Sequence, residues 1–137
     1  MGLILDSSVL ITAEREGKNA RHVLAALRER IGETGVGISV VSLIELAHGA
    51  ARADNPERRL RRQMFIQELI SGMPVYPLTV GIALRAGQID GENQARGLRV
   101  ALPDLIIGVT ALELHYSVGT ANVRHFGQVP GLSLVQL

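Results

Sequence analysis

Residues 3–11, with the sequence LILDSSVLI, decide the fold of this chain. Three consecutive apolar residues end at an acid and a pair of serines, after which apolar residues return at Val9, Leu10 and Ile11. A short apolar run bounded by polar residues is typical of a buried strand, and the residues that follow it predict a helix. The stretch therefore predicts a strand that crosses a hydrophobic core and carries Asp6 at its carboxyl end.

Strand and helix patterns continue to alternate along the rest of the chain. β-branched residues at 38–41 predict a second strand, and apolar residues at helical spacing predict helices before and after it. Proline and glycine residues mark the turns between these segments. We expect further strands at 75–76, 117–121 and 132–135, and helices at 20–31, 42–51, 55–72, from 79 to a frayed end near 91–97, and from 103 onward.

Strands separated by helical crossovers indicate an α/β fold. We predict a central, mostly parallel sheet of four to five strands, flanked by helices on both sides, in a single domain covering residues 1–137. The composition, 47% apolar and 20% charged, is that of a globular chain. In open parallel sheets, ligands and catalytic groups gather at the carboxyl ends of the strands, so we expect the active site at that edge.

Several classes of protein are excluded by composition. Cysteine is absent, so disulfide bonds and thiolate metal sites are impossible. The longest uncharged stretches are too short for a membrane span, and the amino terminus lacks the basic region and long apolar segment of a secretory signal. We therefore expect a cytoplasmic protein without membrane association.

Three acidic residues are candidates for an active site, and each has a structural alternative. Asp6 ends the first strand, where an aspartate can also cap a helix for about 1 kcal/mol. Asp104 follows Pro103 in a first helical turn, where an acid also complements the helix dipole. Glu45 lies among apolar neighbours, and burying an unpaired carboxylate is costly without a partner or a metal. Each residue taken alone leaves both explanations open.

A shared cation would reconcile the three acids if the fold brings them together. Two carboxylates about 4 Å apart repel by roughly 4 kcal/mol at an effective dielectric near 20. Mg²⁺ takes oxygen ligands, often one or two carboxylates with several waters, which leaves positions for a phosphate and an attacking water. Asp6, Glu45 and Asp104 therefore predict a magnesium site, provided that they converge.

The positive charge of the chain comes almost entirely from arginine. Thirteen arginines and one lysine give a net charge of +1, and five of the arginines fall between Arg52 and Arg62 against Asp54 and Glu57. The planar guanidinium suits phosphate, whereas a solvated helix face explains the same pattern without a ligand. Only four aromatic residues are present, so we expect any nucleic acid to be held through its backbone and shape rather than by base stacking.

Four segments of the sequence resemble the motifs of PIN-domain ribonucleases, in particular the VapC-type toxins of type II toxin–antitoxin pairs. Residues 3–11 resemble the opening strand and first catalytic acid of that family, and residues 39–46 (SVVSLIEL) resemble its second acidic motif. Residues 102–112 (LPDLIIGVTAL) resemble the third motif, and residues 120–126 (TANVRHF) resemble the closing Thr-x-Asn-x-x-x-Phe segment. The order and spacing of these segments extend the resemblance over essentially the whole chain.

The resemblance implies a PIN-like fold and a Mg²⁺-dependent endoribonuclease, with Mn²⁺ as a substitute ion. It assigns Asp6, Glu45, Asp104 and Asn122 to catalysis. Asp6 and Asp104 would be direct metal ligands, while Glu45 would help to bind the ion or orient the nucleophilic water. Asn122 stands where many members carry a fourth acid, and its neutral amide should weaken metal affinity. The implied partners are RNA, a cognate antitoxin and a second copy of the chain in a homodimer.

Other interpretations of the same residues remain. The alternative function is a non-catalytic PIN-like module that binds RNA or protein, and a phospho-receiver would need an aspartate where residues 38–40 are Ile-Ser-Val. Glu45 and His48 occur at i, i+3 only once, whereas a di-iron bundle needs two such pairs, so we expect His48 at the surface. His125 is expected to be structural, because the chain lacks the Gly-x-Ser-x-Gly turn of a hydrolase triad.

Three apolar residues of the predicted helix at 55–72 also have two explanations. Met64, Phe65 and Leu69 could supply the implied dimer interface, or they could pack into the core. The sequence does not favour either.

Overall fold

The computed structural model describes residues 2–137, and residue 1, with which the predicted domain begins, lies outside the described part. Within residues 2–137 the chain forms five strands, six α-helices and one short 3-10 helix, which confirms the predicted α/β fold. The elements are β1 (Gly2–Leu5), α1 (Ser7–Arg15), α2 (Ala20–Ile31), β2 (Gly35–Ser39), α3 (Val40–Ala51), α4 (Pro56–Gly72), β3 (Val75–Tyr76), α5 (Val80–Ala95), α6 (Leu102–Leu114), β4 (Ser117–Thr120), the 3-10 helix (Val123–Phe126) and β5 (Leu134–Gln136).

The strands of the described chain form one parallel sheet in the order β3-β2-β1-β4-β5. Every residue of the central strand β1 is buried. Because side chains alternate along a strand, Leu3 and Leu5 pack into the core on one face of the sheet, and Ile4 packs with Val118 on the other. The strand order reverses between β1 and β4, so the carboxyl ends of these two strands form the crevice where a site is expected.

The predicted second strand ends earlier than its β-branched residues suggest. β2 stops at Ser39, and Val40 and Val41, predicted as strand, begin α3. Ser39 takes the N-cap position, and its hydroxyl accepts a hydrogen bond from the backbone N–H of Val41 at 3.1 Å. The capping interaction therefore outweighs the β propensity of the two valines, and α3 begins two residues before the predicted start.

The remaining boundaries follow the cap and turn signals closely. Asn55 caps α4 and Thr79 caps α5, each accepting a hydrogen bond from a backbone N–H three residues further on. α5 passes through Gly91 and ends at Ala95, so the predicted fraying occurs only near Gly97. β5 begins two residues later than predicted. No helix in residues 2–137 has the length and apolar character that crossing a membrane requires.

The three apolar residues of α4 that could serve either the core or a dimer interface differ in their exposure. Phe65 and Leu69 are 3% and 0% exposed and belong to the core on the α1, α2 and α4 side of the sheet. Met64 is 55% exposed. Core packing therefore explains Phe65 and Leu69, and only Met64 is available at the surface.

Gly37 marks a close approach between β2 and the segment that contains β3. A Cβ added at Gly37 would lie 2.5 Å from Tyr76 Cε2 and 3.0 Å from the backbone oxygen of Pro74. We therefore expect Gly37→Ala to lower the free energy of unfolding by about 1–3 kcal/mol, the usual range for overpacking. Gly35→Ala in the same strand is the control, because a Cβ there meets no atom within 4 Å. Equal denaturation midpoints for the two variants would contradict the packing described.

Candidate active site

Asp6 is the first residue after β1, at the carboxyl edge of the sheet. Its backbone N–H donates to the carbonyl oxygen of Gly119 at 2.9 Å, which ties the end of β1 to the end of β4. The residue is 3% exposed and occupies the N-cap position of α1, but its side chain makes no capping hydrogen bond. Helix capping therefore does not account for Asp6.

Two hydroxyl groups hold the Asp6 carboxylate through a single oxygen. Ser8 Oγ donates to Asp6 Oδ2 at 2.6 Å, and Thr120 Oγ1 donates to the same oxygen at 2.9 Å. Within residues 2–137 no donor reaches Oδ1, and no side-chain oxygen is both fully buried and without a partner. Oδ1 therefore keeps contact with solvent and is free to bind a ligand.

Glu45 approaches the same edge from α3. Ser7 Oγ donates to Glu45 Oε1 at 2.6 Å and lies 2.9 Å from the buried hydroxyl of Ser42. Glu45 is only half-buried, because its neighbours Ile44 and Ala47 are exposed, Ile44 by 66%. The prediction that apolar neighbours enclose Glu45 is therefore wrong: the face of α3 that carries it opens to solvent, and a hydrogen bond fixes the carboxylate.

Asp104 lies in the first turn of α6 and completes the acidic edge. Its side chain is 19% exposed, and its pKa is raised from 3.8 to about 6. Burial is the main cause of the higher pKa, the negative charges of Asp6 and Glu45 add to it, and His125 opposes it. A favourable helix dipole would lower this pKa instead, so the dipole does not dominate at Asp104. The three acids therefore share one electrostatic environment.

His125 lies beside this edge, in the 3-10 helix that follows β4. Its Nδ1 is 3.7 Å from Asp104 Oδ2, and its side chain is 57% exposed. His125 therefore lies at the rim of the site, and the expectation that it is structural stays a prediction. His48 is exposed on α3, as predicted.

Asn122 lies two residues beyond the end of β4. Its backbone N–H donates to Thr120 Oγ1 at 2.9 Å, and the same hydroxyl donates to Asp6. The residue is exposed, and its side chain does not cap the 3-10 helix that follows. Thr120 thus links the position of Asn122 to that of Asp6, while the catalytic role of Asn122 stays a prediction.

The acidic edge does not form a complete metal cage. Within residues 2–137 no group of three or more acidic or histidine side chains is arranged to hold a metal ion alone. Mg²⁺ commonly uses one or two carboxylates and completes its shell with water and phosphate. Burial raises the pKa of Asp104 most, and a cation would relieve the repulsion from Asp6 and Glu45 that adds to it. The edge therefore fits a cation whose remaining ligands come from solvent or substrate.

Hydroxyl groups around the acids are the part of the site that sequence reasoning missed. Ser7, Ser8, Ser42 and Thr120 each contact a carboxylate or another hydroxyl of this group. Ser42 and Thr120 are 0% exposed. Because buried hydroxyls need partners, a serine or threonine in a core segment that leads to a candidate acid is the signal that could have found them.

The arginine cluster at the start of α4 is largely occupied by structural contacts. Arg59 and Arg62 donate to the backbone oxygens of Ala51 and Gly49 at 3.0 and 2.7 Å, in the last turn of α3. Arg58 forms an exposed ion pair with a nearby aspartate at 3.2 Å. Side chains of this kind satisfy carbonyl groups at a helix end. A structural role therefore explains three of the five arginines.

The fold and the site together define an α/β domain with an acidic edge at the point where the strand order reverses. The sequence profile of the PIN domain family matches residues 3–132. Ribonuclease VapC1 from Rickettsia felis is 29% identical over 135 residues, covering 98% of this chain and 96% of the relative. The tRNA(fMet)-specific endonuclease VapC from Salmonella typhimurium is 31% identical over 110 residues, covering 79% and 81%. The chain belongs to the PIN domain family, and its predicted resemblance to the VapC ribonucleases is confirmed.

Solved structures give the same fold. VapBC2 from Rickettsia felis, bound to a DNA fragment from the promoter, superimposes with a TM-score of 0.82 at 19% identity and covers 100% of this chain and 99% of that one. VapBC-5 from Mycobacterium tuberculosis, a member of the VapBC family of toxin–antitoxin systems, superimposes with a TM-score of 0.74 at 20% identity and covers 100% of both chains. These likenesses confirm the PIN-like architecture.

Proposed function

We propose that this chain is a metal-dependent endoribonuclease that hydrolyses RNA phosphodiester bonds and acts as the toxin of a toxin–antitoxin pair. The observation that carries the proposal is that Asp6, Glu45 and Asp104 lie at the same open edge of a PIN domain, where the charges of Asp6 and Glu45 add to the effect of burial on the pKa of Asp104. Carboxylates that repel one another in a folded protein favour a cation. The names of the matched relatives, a ribonuclease and a tRNA endonuclease, support RNA as the substrate class.

Asp6 and Asp104 are the residues we assign to the cation. Asp6 offers the free oxygen Oδ1, and Asp104 ionises more readily when a positive charge lies nearby. Bound there, Mg²⁺ or Mn²⁺ supplies positive charge against the phosphoryl oxygens during hydrolysis.

Glu45 is the residue we assign to the attacking water, through which it would also help to hold the cation. Its Oε1 is held by Ser7, whereas Oε2 receives no hydrogen bond from residues 2–137 and can accept a proton from water. The water oxygen would add to phosphorus in line with the leaving oxygen, so that one phosphodiester bond breaks as one P–O bond forms. The exposed amide of Asn122 has a carbonyl oxygen that can orient a water at the same edge.

A protein antitoxin has a direct route to this site. A groove of about 410 Å³ runs beside Glu45 between α1, α3 and α4, and its lining includes the apolar Ile11, Ile44 and Phe65 and the charged Glu14, Arg15 and Arg62. An apolar groove with a few charged groups is the usual form of a binding site for a peptide segment. The solved toxin–antitoxin structures with the same fold support a partner of this kind. An antitoxin segment lying in the groove would reach the edge that carries Glu45.

RNA cleavage by the purified chain tests the proposed function. We expect labelled RNA to be cut in the presence of Mg²⁺, cleavage to stop with excess EDTA, and activity to return with Mn²⁺. Expression of the chain without an antitoxin should arrest growth, which separates a toxin from a housekeeping nuclease. RNA that remains intact in Mg²⁺, together with measurable RNA binding, would favour a non-catalytic module instead.

We also propose that the chain forms a homodimer through the amino-terminal part of α5. Val80 and Leu84 lie one turn apart on α5 and are 78% and 72% exposed, which is unusual for large apolar side chains on one face. We expect Leu84→Glu to convert the dimer to a monomer of 14.7 kDa, measured by light scattering. Met64→Glu, on the exposed side of α4, is the control and should leave the dimer intact. A dimeric Leu84→Glu variant would contradict this interface.

A further inference from the structure

A chain of two buried hydroxyls leads to Glu45. Ser42 and Glu45 are three residues apart on one face of α3, and Ser7 of α1 fits between them, 2.9 Å from Ser42 Oγ and 2.6 Å from Glu45 Oε1. Ser42 is 0% exposed and Ser7 is 3% exposed, so the contact between the two hydroxyls is shielded from water.

The direction of the hydrogen bonds follows from the number of protons. A hydroxyl group has one proton to donate, and an ionised carboxylate can only accept. Ser7 therefore donates to Glu45, and the Ser42 hydroxyl donates to Ser7. Both protons point toward the carboxylate and hold Oε1, while Oε2 receives no hydrogen bond from residues 2–137.

The first turn of α1 connects this arrangement to the second acid. Ser7 donates to Glu45, while the next residue, Ser8, donates to Asp6. Consecutive helical side chains diverge by about 100°, so adjacent serines can reach carboxylates on two different elements. The first turn of α1 thus contacts both acids through adjacent hydroxyl groups.

We propose that Ser7 and Ser42 are positioning residues that orient Glu45 for the divalent cation and its water. This inference rests on the proposed function, because it assigns a task to hydroxyls around the same site. Partners that orient a metal ligand or its water commonly change metal affinity by 10- to 100-fold when removed. A purely structural Ser7–Ser42 contact would instead affect only stability.

Binding of Mn²⁺ alone, followed by the electron paramagnetic resonance signal of the free ion, tests the proposal without reference to catalysis. We expect Ser7→Ala to weaken Mn²⁺ binding by about 10-fold or more and Ser42→Ala by a smaller factor. Ser7→Thr keeps the hydroxyl and should restore wild-type affinity. Thr110→Val is the matched control, because it removes a buried hydroxyl that donates to the Ile106 carbonyl within α6 at 2.7 Å.

The outcomes separate this proposal from the function on which it rests. Unchanged Mn²⁺ affinity in folded Ser7→Ala and Ser42→Ala, with a wild type that binds Mn²⁺ and cuts RNA, would overturn the positioning role alone. A wild type that neither binds Mn²⁺ nor cuts RNA would overturn the proposed function. An equal loss of affinity in Thr110→Val would show that only general stability is involved and would also overturn the positioning role. If Ser7→Ala does not fold, the Mn²⁺ affinity of Ser42→Ala decides instead: a loss relative to Thr110→Val supports the positioning role, and an unchanged affinity overturns it.

Discussion

Asp104→Asn should abolish RNA cleavage and, at the same time, make the metal-free protein more stable. Removing an outer partner of a metal ligand commonly costs 10- to 100-fold, so we expect the loss of a direct ligand to lower activity by about 100-fold or more. The stability effect has the opposite sign because the pKa of Asp104 is raised from 3.8 to about 6 by burial and by its acidic neighbours. Ionised Asp104 is therefore a source of instability at neutral pH.

The sign of the pH dependence follows from proton binding. Between pH 3.8 and about 6 the native protein holds a proton on Asp104 that the unfolded chain has released. The stability of the metal-free wild type should therefore fall as pH rises through this window. A neutral asparagine removes this effect, and at pH 7 it should raise the free energy of unfolding by about 1–3 kcal/mol, or the melting temperature by several degrees.

Thermal unfolding in EDTA and in Mg²⁺, together with RNA cleavage, checks both parts of this prediction. Mg²⁺ should stabilise the wild type and have little effect on Asp104→Asn. Asp54→Asn is the control, because the Asp54 side chain is 69% exposed and contacts only its neighbours Asn55 and Arg58, and the change should leave cleavage unchanged. A variant at position 104 that cuts RNA at the wild-type rate, or that melts lower than the wild type in EDTA at pH 7, would contradict the assignment.

Asp6→Asn should also lower the rate of RNA cleavage by about 100-fold or more, but it should not make the metal-free protein more stable. The Asp6 carboxylate accepts hydrogen bonds from Ser8 and Thr120 on Oδ2, and its free Oδ1 is the proposed metal ligand. An amide has a single acceptor oxygen, so it cannot both accept the two hydroxyls and offer a second oxygen to a cation. Charge-assisted hydrogen bonds are replaced by neutral ones, and we expect the free energy of unfolding to fall by about 1 kcal/mol.

Comparing the two variants in the same melting and cleavage assays is informative because both remove one negative charge. Opposite stability changes would show that hydrogen-bond donors stabilise the Asp6 carboxylate, whereas burial and nearby negative charges destabilise the ionised form of Asp104. A stability gain in Asp6→Asn equal to that in Asp104→Asn would contradict the hydrogen bonds described for Asp6.

The parts of the fold that the sequence predicts are those decided by local contacts. β1 and the position of Asp6 follow from a short apolar run that ends at an acid, and α4 and α5 follow from Asn55 and Thr79 as caps. The error at Val40 and Val41 has the same origin, since a local β propensity competed there with the cap that Ser39 provides. Each of these outcomes depends on residues within a few positions of one another.

The surroundings of the acids could not be predicted in the same way, because they depend on contacts distant in sequence. Thr120 reaches Asp6 across 114 positions, and Ser7 reaches Glu45 across 38. The sequence placed Glu45 among apolar residues but did not show which face of α3 packs against the core. Only the assembled sheet brings the start of α6 next to the end of β1, and with it the burial and the nearby charges that raise the pKa of Asp104.

The anomalous diffraction of Mn²⁺ in crystals of this protein is the most direct measurement of a shared ion at the acidic edge. We predict one peak at about 2 Å from Oδ1 of Asp6 and from a carboxylate oxygen of Asp104, the distance expected for a small octahedral cation. Water should fill the remaining positions on the side that faces Glu45. A peak at another place, or none at these two carboxylates under saturating Mn²⁺, would contradict the metal site on which the proposed ribonuclease mechanism depends.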